Sequence, residues 1–227
     1  MQGQDDVFVS LKEFLGFGAA DADNLRALAP LFAVHGAAVT DAFYAKLEAT
    51  PETAAIIAGR VDALKRTHAR CMGELFAGDY GPAYLENRWR IGLAHVRVAV
   101  PPHYVEAVMS FLRTESERLI LAHVGDPALA VAQHASLVKL LDLDLMIINL
   151  AYLDERVDRL CKFTGMSRKL IERCIQNLVN GLAEQRTELI RQKAVRLELP
   201  FDGRSDALRV REIDGLEDAV DEKPCLR

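Results

Sequence analysis

The sequence predicts an all-α fold over residues 1–160, and three observations carry that prediction. Nearly every segment in the span repeats apolar residues at three- and four-residue intervals, the period of a helix with one face turned inward. No alternating stretch there is long enough for a strand. Turn-forming groups such as Gly81-Pro82, Pro101-Pro102 and Gly125-Asp126-Pro127 punctuate the periodic segments. The 227 residues, 50% hydrophobic and 27% charged, suit one domain with its own core plus an appendage.

Each element follows from its punctuation. Asp21 or Asp23 caps a first helix containing Leu25, Leu28 and Leu31, and a second runs from His35 to Glu48 until Thr50-Pro51-Glu52 interrupts it. A third spans Val61 to Phe76 and stops near Gly78. A fourth starts after Gly81-Pro82, carries Trp89, Ile91 and His95, and ends before Pro101-Pro102. Segments from Tyr104 to Leu121 and from Ala128 to Leu160 complete the set. The last of these is apolar on two faces: Leu141, Leu145, Ile148 and Tyr152 share one, and Leu140, Leu143, Ile147 and Leu150 share another. Such a helix must be covered twice. The second cover is either another element of the same chain, as in a monomeric bundle, or a second subunit. Pattern alone leaves both open. Self-association is the simpler solution in a chain this short, so a homodimer is expected.

After Leu160 the texture changes, which divides the chain into residues 1–160 and a C-terminal extension, 161–227. Phe163-Thr-Gly-Met-Ser breaks the rhythm, and Ser167 caps a helix over about 167–193 with Ile171, Ile175, Leu178, Leu182 and Leu189 as a docking or coiled-coil stripe. Gly181 and Gln185 weaken it. Short alternation from Val195 onward, around Pro200-Phe-Asp-Gly, reads as a hairpin, and the charged stretch from Gly215 to Arg227 as disordered.

A net charge of −5 and a pI of 5.7 argue against nucleic acid or an acidic membrane as partner, because both need concentrated Lys and Arg. Cys71, Cys161, Cys174 and Cys225 form neither a CxxC pair nor a disulfide framework and read as reduced thiols in a cytoplasmic protein. The N-terminus lacks the basic start and apolar stretch of a signal peptide. The most apolar segment, Leu137 to Leu153, is interrupted by Lys139, Asp142, Asp144 and Asn149, so it is a core helix and not a membrane span.

None of the six histidines belongs to a metal-spacing motif such as HExxH. A single histidine still suffices for haem, whose porphyrin supplies the in-plane ligands of the iron. His95 is placed for that role: Ile91 and Val98 lie about one turn to either side, and the small residues Gly92 and Ala99 leave room for a flat macrocycle. On pattern alone, a satisfied core or boundary histidine is the commoner case. Tyr44 likewise reads as an amphipathic core residue, and Thr67 as a hydroxyl bonded back to its own helix. Acidic residues are scattered on solvated faces, so no general acid/base pair stands out, and no flavin or nicotinamide fingerprint is present.

The segment Arg90-Ile-Gly-Leu-Ala-His-Val-Arg-Val-Ala-Val-Pro-Pro-His-Tyr104, with Phe43-Tyr44-Ala-Lys-Leu-Glu-Ala-Thr-Pro-Glu52 and Leu64-Lys-Arg-Thr67 upstream, resembles the sensor globins of globin-coupled sensors, relatives of the protoglobins. The resemblance covers about residues 10 to 160. It implies a globin fold holding haem b, with His95 as the proximal iron ligand, Tyr44 as a distal hydrogen-bond donor, and Thr67 beside Leu64 as a further distal pair. Phe43, Ile91, Val98 and Tyr104 would complete the haem contacts. Val98-Ala-Val100 and His103 depart from the Ile-Gly and Trp of several members, and the residues after 160 are too few for the large output module that is usual there. The function implied is a haem-based sensor of a diatomic gas, oxygen first with carbon monoxide or nitric oxide as alternatives. It would act as a homodimer that signals through its tail to a downstream protein, and not as an enzyme. The rival readings are a haem protein turning over oxygen or nitric oxide and a haem-free interaction scaffold.

Overall fold

The structure, a computed structural model, describes the backbone of residues 2–196 and the side chains of 5–191. Contacts divide the chain into two units, with the boundary between Arg159 and Leu160. The helices are α1 (Gln2–Leu15), α2 (Ala19–Ala49), α3 (Pro51–Ile57), α4 (Val61–Leu75), α5 (Pro82–Arg97), α6 (Pro102–His123), α7 (Pro127–Thr164) and α8 (Arg168–Arg196). No strand occurs among the described residues, as an all-α fold requires.

The expected first and second helices are one. The carboxylate of Asp21 accepts the Gly18 N–H at 2.9 Å to start α2, which then runs unbroken through Pro30 to Ala49. An interior proline removes one backbone hydrogen bond and costs about 3 kcal/mol. Pro30 and Arg26, whose carbonyl loses its partner, both lie on the exposed side of the helix, where that carbonyl is open to solvent. Leu25, Leu28 and Phe32 on the opposite side are buried, and their burial keeps the helix continuous through the interruption. Pro51, read as a stop, is the first residue of α3, where a missing N–H costs nothing. By the same logic Pro102 starts α6.

Helix α1 is absent from the sequence-based expectation because its apolar stripe is thin: Phe8 is buried, while Val7, Val9 and Phe14 are exposed. It nevertheless changes the reading of α7. Leu140, Leu143 and Ile147 are wholly buried within the chain, and Leu141, Ile148 and Tyr152 on the other side are nearly so. Val7, Phe8 and Leu11 of α1, Leu85 and Trp89 of α5, and Ile147 and Leu150 of α7 border one small cavity. The second face of α7 is therefore covered by the chain itself, as in the bundle alternative, and does not call for a second subunit.

Composition makes α2 long and apolar enough to cross a membrane, yet its residues from Leu25 to Tyr44 supply core side chains at regular intervals. In the second unit, α8 begins where the Ser167 carbonyl accepts the N–H groups of Leu170 and Ile171. Ile175, Leu178, Leu182 and Leu189 are exposed along it. Val195 and Arg196, assigned above to a hairpin, are helical; the rest of that hairpin and the charged C-terminal stretch lie outside the described residues.

Candidate functional site

A cavity of about 440 Å³ opens between α2, α4, α5 and α6, with Leu141, Asp144 and Ile148 of α7 at its base. All eight sequence-predicted site residues line it: Phe43, Tyr44, Leu64, Thr67, Ile91, His95, Val98 and Tyr104. Its size is ordinary for a small-molecule site.

His95 comes from the last turn of α5. Its Nδ1 lies 2.9 Å from the Ile91 carbonyl, an acceptor only, so Nδ1 carries the proton and Nε2 is a bare lone pair. Nε2 has no hydrogen-bond partner among the described residues. Burial lowers the pKa of the ring, and the Ile91 bond only partly opposes this, so the imidazole is neutral. Just beyond it the chain turns at Ala99, whose φ of +56° is unusual for a residue other than glycine. The Val100 N–H, bonded to the His95 carbonyl at 3.0 Å, closes this turn.

On α4 the structure presents a second imidazole that the sequence reading did not single out. The Thr40 hydroxyl donates to the Gly36 carbonyl at 2.9 Å, so its oxygen accepts from His68 Nδ1 at 3.0 Å. His68 is thereby fixed in the same tautomer as His95, with Nε2 unprotonated. Burial lowers its pKa to about 4. The signal was available only as a pair of residues on different helices, which linear spacing does not reveal. The His68 ring also packs on Phe43, with centroids 5.0 Å apart.

Tyr44 is buried, its hydroxyl has no partner among the described residues, and burial pushes its pKa up to about 12. It is a protonated phenol with a free donor. Thr67 lines the cavity as expected, but its hydroxyl donates to the Ala63 carbonyl of its own helix at 3.1 Å. Tyr104 spends its hydroxyl on the Glu52 carboxylate at the start of α3.

In the wall of the cavity lies a buried charged cluster that sequence reasoning also missed. Arg88, two turns before His95, pairs with Asp144 at 3.1 Å and Glu74 at 3.3 Å, and Tyr84 donates to Asp144 at 2.7 Å. Burial pushes the Asp144 carboxyl up to about 6 against the pull of Arg88. The cluster ties α4, α5 and α7 together. Close above it, a Cβ added at Gly92 would stand 2.7 Å from the Ala151 Cβ and 3.2 Å from the Ile148 backbone, so α5 and α7 cross in near contact.

Among the described residues no group of three or more His, Cys, Asp or Glu side chains could hold a metal ion. A metal at His95 would need its remaining ligands from a cofactor. A flat apolar macrocycle with a central iron fits the residues present: a largely apolar chamber, a neutral imidazole with a bare nitrogen, and a free phenol donor.

Comparison with known proteins agrees in extent with this domain. The family described as Protoglobin matches residues 4–158. The heme-based aerotactic transducer HemAT of Halobacterium salinarum is 31% identical over 161 residues, 64% of this chain and 33% of that protein. The chain thus spans about a third of the length of that curated relative. Among solved structures, the globin domain of a Geobacter sulfurreducens globin-coupled sensor superposes with a TM-score of 0.61 at 33% identity, covering 63% of this chain and 95% of that one. The globin domain of E. coli DosC gives 0.54 at 15% identity over 65% and 98% of the respective chains. This last match bears on the fold alone.

Proposed function

This chain belongs to the Protoglobin family, and from that premise we propose that it is a haem-based gas sensor whose cavity holds haem b on His95. The observation that carries the reading is the bare, neutral Nε2 of His95, held by the Ile91 carbonyl at 2.9 Å in the wall of an apolar cavity. Haem so held supplies an iron that binds a diatomic gas, oxygen in this reading. Phe43, Leu64, Ile91, Val98 and Tyr104 line the chamber as apolar contacts. Tyr44 donates a hydrogen bond to the ligand, and Thr67, whose proton is engaged by Ala63, adds shape more than donor capacity. The names of the relatives, a heme-based aerotactic transducer and a globin-coupled sensor, support a signalling role over an enzymatic one.

His68 adds a competitor. Its Nε2 is also unprotonated and lies in the same cavity, so His68 would be available to the iron as a second protein ligand in competition with the gas. Sensing requires that ligand-bound and ligand-free arrangements differ in free energy. The Arg88–Asp144 pair connects the helix bearing His95 to α7, a route by which such a difference reaches the rest of the molecule. The reading includes a cytoplasmic homodimer and a downstream signalling protein.

The absorption spectrum of the 227-residue chain tests it. Wild type purified with adequate haem should show a Soret band, and His95→Ala should lose most of it or need added imidazole to regain a six-coordinate spectrum. His68→Ala should keep the haem and lose low-spin character in the gas-free protein. A His95→Ala protein with an unaltered spectrum overturns the assignment.

A further inference from the structure

Haem is apolar except at one edge, where two propionate carboxylates are ionised at neutral pH. A cavity that encloses the macrocycle must leave that edge at its opening or give it a cation. Two of the residues lining this cavity are positively charged, Arg60 and Arg88. Arg88 is 2% exposed and already neutralised by Asp144 and Glu74, so it has no charge to spare for a further anion.

Arg60 is different in each respect. It lies at the exposed start of α4, yet its side chain lines the cavity, which places it on the rim. It pairs with no carboxylate among the described residues. One guanidinium nitrogen donates to the Ile56 carbonyl at 2.6 Å, near the end of α3, and this anchors the group while leaving most of its five donors free. Nearby charges are tied down elsewhere: Lys65 is held by Asp41 at 2.7 Å, and the Glu52 carboxylate is occupied by the Tyr104 hydroxyl. A planar guanidinium fork matches a carboxylate in a way that an ammonium does not.

We propose that Arg60 is the propionate anchor of this cavity, a charge-assisted clasp that orients the cofactor and slows its loss. The proposal rests on the haem reading above. The test is arranged so that the two fail separately.

Wild type, Arg60→Ala and Arg60→Lys, each as the 227-residue chain, are loaded either with haem or with haem dimethyl ester, which lacks the two charges. Cofactor loss to an excess of a scavenging apoglobin is then timed. Arg60→Ala should release haem roughly ten-fold faster than wild type, the scale of one lost hydrogen bond to a charged group, with Arg60→Lys in between. For the dimethyl ester the three proteins should agree within about two-fold, because the interaction removed by the mutation is then missing from all of them. Melting of the cofactor-free proteins should coincide, since the side chain is exposed. If Arg60→Ala speeds the loss of both cofactors equally, or of neither, Arg60 is not the anchor. If wild type takes up neither haem nor its ester, the haem reading itself falls and this proposal with it.

Discussion

A phenol whose pKa is pushed up to about 12 by burial remains a donor at every pH the protein will meet, and Tyr44 has no other acceptor among the described residues. A hydrogen bond to a partly anionic ligand is worth about 1.5–3 kcal/mol, so Tyr44→Phe should speed oxygen release by roughly ten-fold or more, and carbon monoxide, a poorer acceptor, should respond less. Stopped-flow measurement of both gases decides it; small, equal effects count against a donor role. His68 makes a prediction about the cofactor-free protein. Its folded pKa of about 4 lies below the ordinary 6.5, so between these values the unfolded chain binds a proton that the folded chain does not. Its contribution to stability is therefore full above pH 6.5 and is lost as the pH falls toward 4, by at most about 3 kcal/mol. Urea melts of the apoprotein at pH 7 and 4.5 should show a smaller acid loss in His68→Leu than in wild type. These two residues also mark the limit of what was legible. Tyr44 and His95 sit in contiguous segments, and the family resemblance of those segments singled them out where pattern alone did not. The state of His68 depends on Thr40, on another helix, and Arg88 depends on Asp144 in the same way.

At the scale of elements, the order and most boundaries of the helices followed from proline, glycine and apolar spacing, and the exceptions have a common cause. Local propensity favoured a break near Pro30, but burial of Leu25, Leu28 and Phe32 outweighed it. Propensity and pattern in α1 were too weak to announce a helix that packing on α5 makes worthwhile. Packing between helices is also what Gly92 serves. Alanine is favoured over glycine inside a helix by up to about 1 kcal/mol, so Gly73→Ala, with nothing within 4 Å of the added carbon, should stabilise modestly. Gly92→Ala must instead push α5 from α7, because its new carbon would lie 2.7 Å from Ala151. Overpacking of this kind costs about 1–3 kcal/mol. Thermal melts should show Gly92→Ala less stable than wild type. Cofactor loss should also quicken, since His95 rides on the displaced helix. A Gly92→Ala protein as stable as Gly73→Ala would show that the crossing yields more easily than its geometry implies.

For the molecule as a whole, the expected dimer must use surface that the folded chain leaves open. Leu143 cannot serve, because it is wholly buried in the single chain; Leu143→Glu should unfold the domain by burying an unpaired charge, at a cost of several kcal/mol. The remaining apolar row on α7 runs through half-buried Met146 and Val157 with Leu153 between them, 56% exposed. A second copy laid against that row would cover it, and the helical spacing of the three residues keeps them on one face. Leu153→Glu should therefore give a monomer that retains haem and melts, without cofactor, close to the wild-type temperature, because the substituted position is solvated in the lone chain. The rival surface is the exposed stripe of α8, with Leu178 and Leu182 at 67% and 65% exposure. Removing residues 166–227 separates the two, since it deletes that stripe and keeps the α7 row. Sedimentation of both proteins should find the truncated form dimeric and the Leu153→Glu form monomeric. The reverse pattern, a dimeric Leu153→Glu protein and a monomeric truncation, would place the subunit contact on α8 and leave the α7 row for another partner.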